Sequence, residues 1–204
     1  MTNINLLARM AAMLTFGLAS FAACAEPALT VFGIAIGQPV TMPECPHVGL
    51  SVQALPTGPC YHLNDGKTGP ITAAAQGAEI LFAPGNLPAL SRGSSVGAML
   101  LDEKIEMLTI WTSGNEHKDA DLQSLTEKFG RPQSLENVPW QNGYGAHFES
   151  VEAVWTLTGG AKVYYGSADS DLDHGSVSVR SKIGDEHMQD EYHRLTSDAG
   201  NTKL

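Results

Sequence analysis

One change of period organises this chain. Between Asn115 and Phe129 apolar residues recur at Leu122, Leu125 and Phe129, a spacing of i, i+3 and i+7 that predicts an amphipathic helix. On either side of it apolar residues alternate in short β-rich runs. Asp119 and Asp121 stand near the helix's positive end, Lys128 near the other, and Gly130 with Pro132 supplies the stop.

Before the helix, Val96–Leu101 and Lys104–Trp111 read as a hairpin around Asp102-Glu103. Val31–Ile36, 70–75 and 79–83 read as shorter strands, with loops over 39–59 and 84–95. After the helix, alternation at Val151, Ala153, Trp155 and Leu157, at Val163 and Tyr165, and at Val177 and Val179 predicts a three-stranded meander with a turn at Gly159-Gly160. The expected fold class is α+β: antiparallel sheet packed by one principal amphipathic helix.

The first 25 residues carry Arg9, an apolar run from Met10 and the small-x-small ending Ala23-Cys24-Ala25, the pattern of a secretory signal peptide. Cleavage after Ala25 is the expected processing, with lipidation of Cys24 as the rival route. Both export the protein, to the periplasm or, as a lipoprotein, to the outer membrane. Cys45 and Cys60 then meet an oxidising compartment and are expected to form a disulfide, stapling the N-terminal loop. A metal thiolate pair or a nucleophilic cysteine is the weaker reading, because the Cys-x-x-Cys spacing is lacking.

The expected organisation is a signal peptide over 1–25, a single domain over 26–184 and a flexible tail over 185–204. Gly37-Gln38-Pro39 and Gly130-Arg131-Pro132 raise a divergent duplication of 31–111 and 115–181. Composition narrows function: 12 Lys+Arg against 22 Asp+Glu, net charge −10, argues against nucleic acid as a partner. No run after the leader is long and apolar enough to span a bilayer.

The chemical candidates are few. Gly93-Ser94-Ser95-Val96-Gly97 matches Gly-x-Ser-x-Gly, but Ser95 lies before a strand rather than between strand and helix, the setting a nucleophile elbow needs. Asp169, Asp171 and Asp173 alternate as in calcium loops, while His174 occupies the place of the required Gly and Arg180 that of the closing Glu. His187 and Glu191 have metal-ligand spacing on a helix, as do Asp190 and His193. His47, His62, His117 and His147 have no partner in sequence. Trp140, Tyr144 and Phe148 cluster in a glycine-bearing segment read as a loop, which anchors a partner or caps the core.

From Ile105 to Ser181, the strand, the linker Thr112–Glu116 and the helix ending in Glu127-Lys-Phe-Gly-Arg-Pro132 resemble the pattern of uncharacterised bacterial exported proteins. The same stretch is similar to the helix-on-antiparallel-sheet modules of small outer-membrane assembly lipoproteins and of β-lactamase-inhibitor proteins. It departs from the inhibitors in lacking a helix pair at the start of each half, and no functional residue carries over. These readings together favour a non-enzymatic, exported domain that binds a protein or associates with the envelope, with an envelope protein as a candidate partner and no cofactor. The competing class is a metal-dependent hydrolase or small-ligand binder using Asp171, His174 and His187.

Overall fold

The computed structural model describes residues 29–46, 57–64, 75–83, 85–141 and 145–201. The predicted signal peptide, Cys24, His47 and Tyr144 lie outside them. In chain order the strands are β1 (Thr30–Val31), β2 (Ile34–Ala35), β3 (Gln38–Pro39), β4 (Cys60–Leu63), β5 (Ala75–Leu81), β6 (Ser95–Leu101) and β7 (Lys104–Thr112). Helix α1 (Lys118–Phe129) follows, then β8 (Ser134–Gln141), β9 (His147–Thr156), β10 (Lys162–Gly166), β11 (Gly175–Arg180) and helix α2 (Lys182–Asn201).

Asp102 and Glu103 both take positive φ, 49° and 62°, as a type I′ turn demands, and they close β6 on β7 where the alternation placed the hairpin. The sequence Val31–Ile36 is instead folded on itself. Phe32 and Gly33 turn with φ of 52° and 79°, so Val31 pairs with Ile34 in a separate two-stranded sheet and Ile36 follows it into the core. The runs expected at 70–75 and 79–83 are replaced, among described residues, by the single strand β5, while 70–74 lie outside them.

Among the described residues the main sheet has nine strands, eight in the order β4-β5-β6-β7-β11-β10-β9-β8 and the ninth, β3, beside β7, and its ladders are antiparallel. It is two four-stranded meanders joined through their last strands, β7 and β11. Strand β3 shares that side of β7 with β11: it takes Lys104 and Ile105, and β11 takes Met107 to Thr112. The second meander therefore has four strands rather than the three read from alternation. The extra one, β8, contains Pro139 and only weak alternation, which an edge position tolerates because a missing N–H there costs no ladder bond.

One face of the sheet builds the core, with Val96, Leu108, Ile110, Val163, Tyr165, Val177, Val179, Ala153 and Trp155 all buried. Helix α1 covers it as its stripe predicts: Leu125 is buried, Leu122 and Phe129 pack beside it, and Trp155 Nε1 donates to Gly130 O at 2.7 Å. Positive φ at Gly130 ends the helix. The segment expected to be a frayed helix and tail forms a second helix, α2, as far as Asn201, alongside the principal helix α1. Helix α2 lies on the opposite face. Its Asp185 meets Lys162, Tyr164 and Arg180, which alternate with the core residues of β10 and β11.

The predicted disulfide joins Cys45 to Cys60, with Cα atoms 4.9 Å apart. It closes a loop of 15 residues, worth about 3 kcal/mol in the chain-entropy view. No helix among the described residues is long and apolar enough to cross a membrane.

Candidate functional site: the outer face of the sheet

The register assembles a surface on the face away from the core. One row across the strands reads Trp111, Ser176, Gly166, Glu152 and Glu136, on β7, β11, β10, β9 and β8. The next reads Thr109, Ser178, Tyr164, Val154 and Ser134. In the first row β11 and β10 contribute only Ser176 and Gly166, so the floor is low there, while in the second Tyr164 rises to meet Asp185 of α2. Trp111 is 44% exposed and spreads over Gly97, where a Cβ would come within 2.8 Å of the indole. The glycine is what lets that ring lie flat on the sheet.

On the far side, β8 and β9 present Trp140 directly opposite Phe148. The aromatics read as part of a loop are therefore cross-strand partners on a hairpin. Side chains directly opposite across two strands are the pairing unit of a sheet, and Phe148 remains 38% exposed. Two positions along each strand on the same face, Val138 pairs with Ser150, and two further on Glu136 pairs with Glu152.

On this same face, where α2 docks over Tyr164, the polar groups are largely occupied with one another. Asp185 is buried and takes Lys162 Nζ at 2.7 Å and the Tyr164 hydroxyl at 2.7 Å, with Arg180 at 3.5 Å. Burial opposes its ionisation, but Lys162, Tyr164 and Arg180 outweigh that and hold its pKa below the ordinary carboxylate value. Ser181 caps α2, accepting from Gly184 N at 2.9 Å and donating its hydroxyl to the buried carboxylate of Glu106. Gly184 makes the close approach to β7 possible, since a Cβ there would strike the Glu106 carbonyl.

Under α1 lies a second polar group, formed by Asp121, Thr112 and Tyr165. Asp121 Oδ2 and Thr112 Oγ1 are buried with no partner in hydrogen-bond geometry. Burial raises the Asp121 pKa, and Thr112, His117 and Tyr165 only partly counter it. Tyr165 is shifted up, first by burial and then by the charges of Asp121 and Asp119. Alternation marked Tyr165 as a core residue, but nothing in the sequence pattern marks Asp121 as buried, because acidic residues in a first helical turn are ordinarily solvated caps.

The acidic loop between β10 and β11 is organised by its own hydrogen bonds. His174 Nδ1 pairs with Asp171 Oδ1 at 2.6 Å, Asp173 N donates to the same oxygen at 2.9 Å, and Asp169 N donates to His174 O at 2.8 Å. Arg92 reaches in to the Asp173 carbonyl at 2.7 Å. The His174 hydrogen bond lowers the Asp171 pKa. Among the described residues no three His, Cys, Asp or Glu side chains are grouped to hold a metal ion, so His187 on α2 does not complete a cluster with Asp169, Asp171 and Asp173. Glu191 is committed to Arg194, which lowers its pKa. Ser95 opens β6 opposite Leu81, with no histidine or carboxylate among the described residues hydrogen-bonded to its side chain. His62 pairs with Glu79 across β4 and β5 at 3.1 Å, and His147 lies 3.4 Å from Gln141.

A cleft of about 760 Å³ opens beside the disulfide, between Phe32, Ile34, Met42, Pro43, Pro59 and Cys60. Compared with protein-family models, with curated proteins and with solved structures, the chain matches none.

Proposed function

We propose that this chain is an exported, non-enzymatic domain that binds a protein partner through the outer face of its sheet. The observation that carries the reading is the low row of Ser176 and Gly166 with Trp111 and Phe148 exposed at its sides. Exposed aromatic anchors around a smooth floor are what a protein interface uses for its central contacts. The Cys45–Cys60 bridge supports export, because such bonds persist in oxidising compartments. The test is cross-linking in the native envelope with tagged protein and with its Trp111→Ala and Trp140→Ala variants, each first checked for native circular dichroism. A partner recovered reproducibly with the parent and lost with either variant supports the reading. Recovery unchanged by both overturns it.

A second reading, small-ligand binding, is favoured by the cleft beside the disulfide, whose size falls in the range of ligand pockets. A ligand there would raise the melting temperature, increasingly as its concentration exceeds its Kd. Met42→Trp would abolish that shift while leaving cross-linking at the sheet face intact.

A further inference from the structure

We infer that the outer face receives a cationic segment of a partner protein, with a Lys or Arg side chain seated between Glu136 and Glu152. This deepens the sheet-face reading and rests on it. The register sets the two glutamates directly opposite one another on adjacent strands, an arrangement that works against the hairpin. Among the described residues no Lys, Arg or His lies within ion-pair distance of either carboxylate to relieve it. The one side chain that hydrogen-bonds Glu136 is Ser134, at 3.2 Å. A local conflict retained at an exposed position points to a need met from outside the chain.

The surroundings fit a flanked cation. Glu152 pairs across β10 with Gly166, which has no side chain, leaving headroom beside the carboxylates. Trp111 stands three strands from Glu152 in the same row, ~14 Å away, and Trp140 and Phe148 stand four residues along the hairpin from Glu136 and Glu152, also ~14 Å, by strand geometry. A segment with a basic residue and apolar neighbours spans those distances. Other occupants fit worse. A second copy of a chain with net charge −10, meeting through this same patch, would bring four carboxylates together. An added edge strand meets Pro139 in the middle of β8. Nucleic acid and anionic membrane are repelled.

The experiment uses the full oxidised chain, two synthetic ten-residue probes alternating Lys with Val and Glu with Val, and NMR titration at low and high salt. The Lys probe is expected to shift the amides of Glu136, Glu152 and Gly166 and the Trp111 indole, and the Glu probe to shift none. The double variant Glu136→Gln, Glu152→Gln should bind the Lys probe at least tenfold more weakly, lose most of the salt dependence and unfold no earlier than the parent. Equal binding by parent and double variant would overturn the proposal, showing diffuse attraction to an acidic protein. Self-association of the double variant without loss of probe binding would also overturn it, assigning the glutamates to keeping hairpins apart. In the envelope cross-linking, a partner lost on Trp111→Ala but retained by the double variant removes the cationic assignment and keeps the sheet-face reading. A partner indifferent to both removes the two together.

Discussion

Each four-stranded meander runs into a helix, yet the two helices are held by different means. Helix α1 is held on the core face by Leu122, Leu125 and Phe129, with Trp155 against its end. Helix α2 is held on the other face by buried acids: Asp185 among Lys162, Tyr164 and Arg180, and Glu106 under the Ser181 cap. Its larger apolar residues Ile183, Tyr192 and Leu195 are exposed. Apolar packing is tolerant of direction and insensitive to pH, whereas a buried carboxylate demands named partners and a charge state. The halves of one sheet therefore respond to different perturbations.

The largest effect is expected at α1. Leu125→Ala removes a fully buried side chain and leaves a cavity against the sheet, costing about 2–5 kcal/mol. Urea unfolding followed by Trp155 fluorescence measures it, and a loss under 1 kcal/mol would show that α1 is not a core element. Asp185→Asn should cost less, about 1–3 kcal/mol, because three partners lose a charged acceptor but two of them retain access to water. Its signature is local. Amide exchange should speed up along α2 while α1 stays protected.

The contrast sharpens with pH. Asp185 has a lowered folded pKa, so the stability it contributes is present above the ordinary carboxylate value of about 3.9 and is lost as pH falls through its folded value. Asp121, beneath α1, has a raised folded pKa. The folded state there favours the proton, so stability falls as pH rises from about 3.9 through the folded value. Acidification from neutral should thus firm the seat of α1 before it loosens that of α2. Melting curves of Asp121→Asn and Asp185→Asn between pH 7 and pH 3 check this. Asp121→Asn should stabilise at pH 7 and converge on the parent in acid, while Asp185→Asn should destabilise at pH 7 and converge below the folded Asp185 pKa.

What was legible in the sequence divides along the same line. The α1 stripe, the β6–β7 hairpin, the alternation of β9 to β11 and the cysteine pair were readable because apolar periodicity and cysteine chemistry are local signals. Helix α2 was read as frayed because a face docked through Asp185 and Gly184 leaves no apolar stripe. Strand β8 was missed because Pro139 and a polar sequence suit an edge. The outer face was readable only in fragments. Trp140 and Phe148 stood out as aromatics, but Trp111, Glu136 and Glu152 acquire meaning only from a register that brings β7 and β8 to opposite sides of one floor.

The smallest effect concerns the turns on which the two meanders reverse. Between β9 and β10 the chain places Gly159 and Gly160 at φ of 76° and 80°. Between β6 and β7 it places Asp102 and Glu103 at comparable angles. A residue with a Cβ is strained in that region, and aspartate tolerates it better than glutamate. Glu103→Gly should therefore relieve strain that the first meander carries and the second does not. The gain is offset by the greater freedom of glycine in the unfolded chain, leaving up to about 1 kcal/mol of net stabilisation. The backbone bond from Val40 N to the Glu103 carbonyl is retained, so β3 should remain seated on β7. Denaturant midpoints of the parent, Glu103→Gly and Gly160→Ala measure the comparison: a gain for the first and a loss for the last is expected. A loss for Glu103→Gly would mean that the glutamate side chain holds the β6–β7 turn by an interaction stronger than the strain.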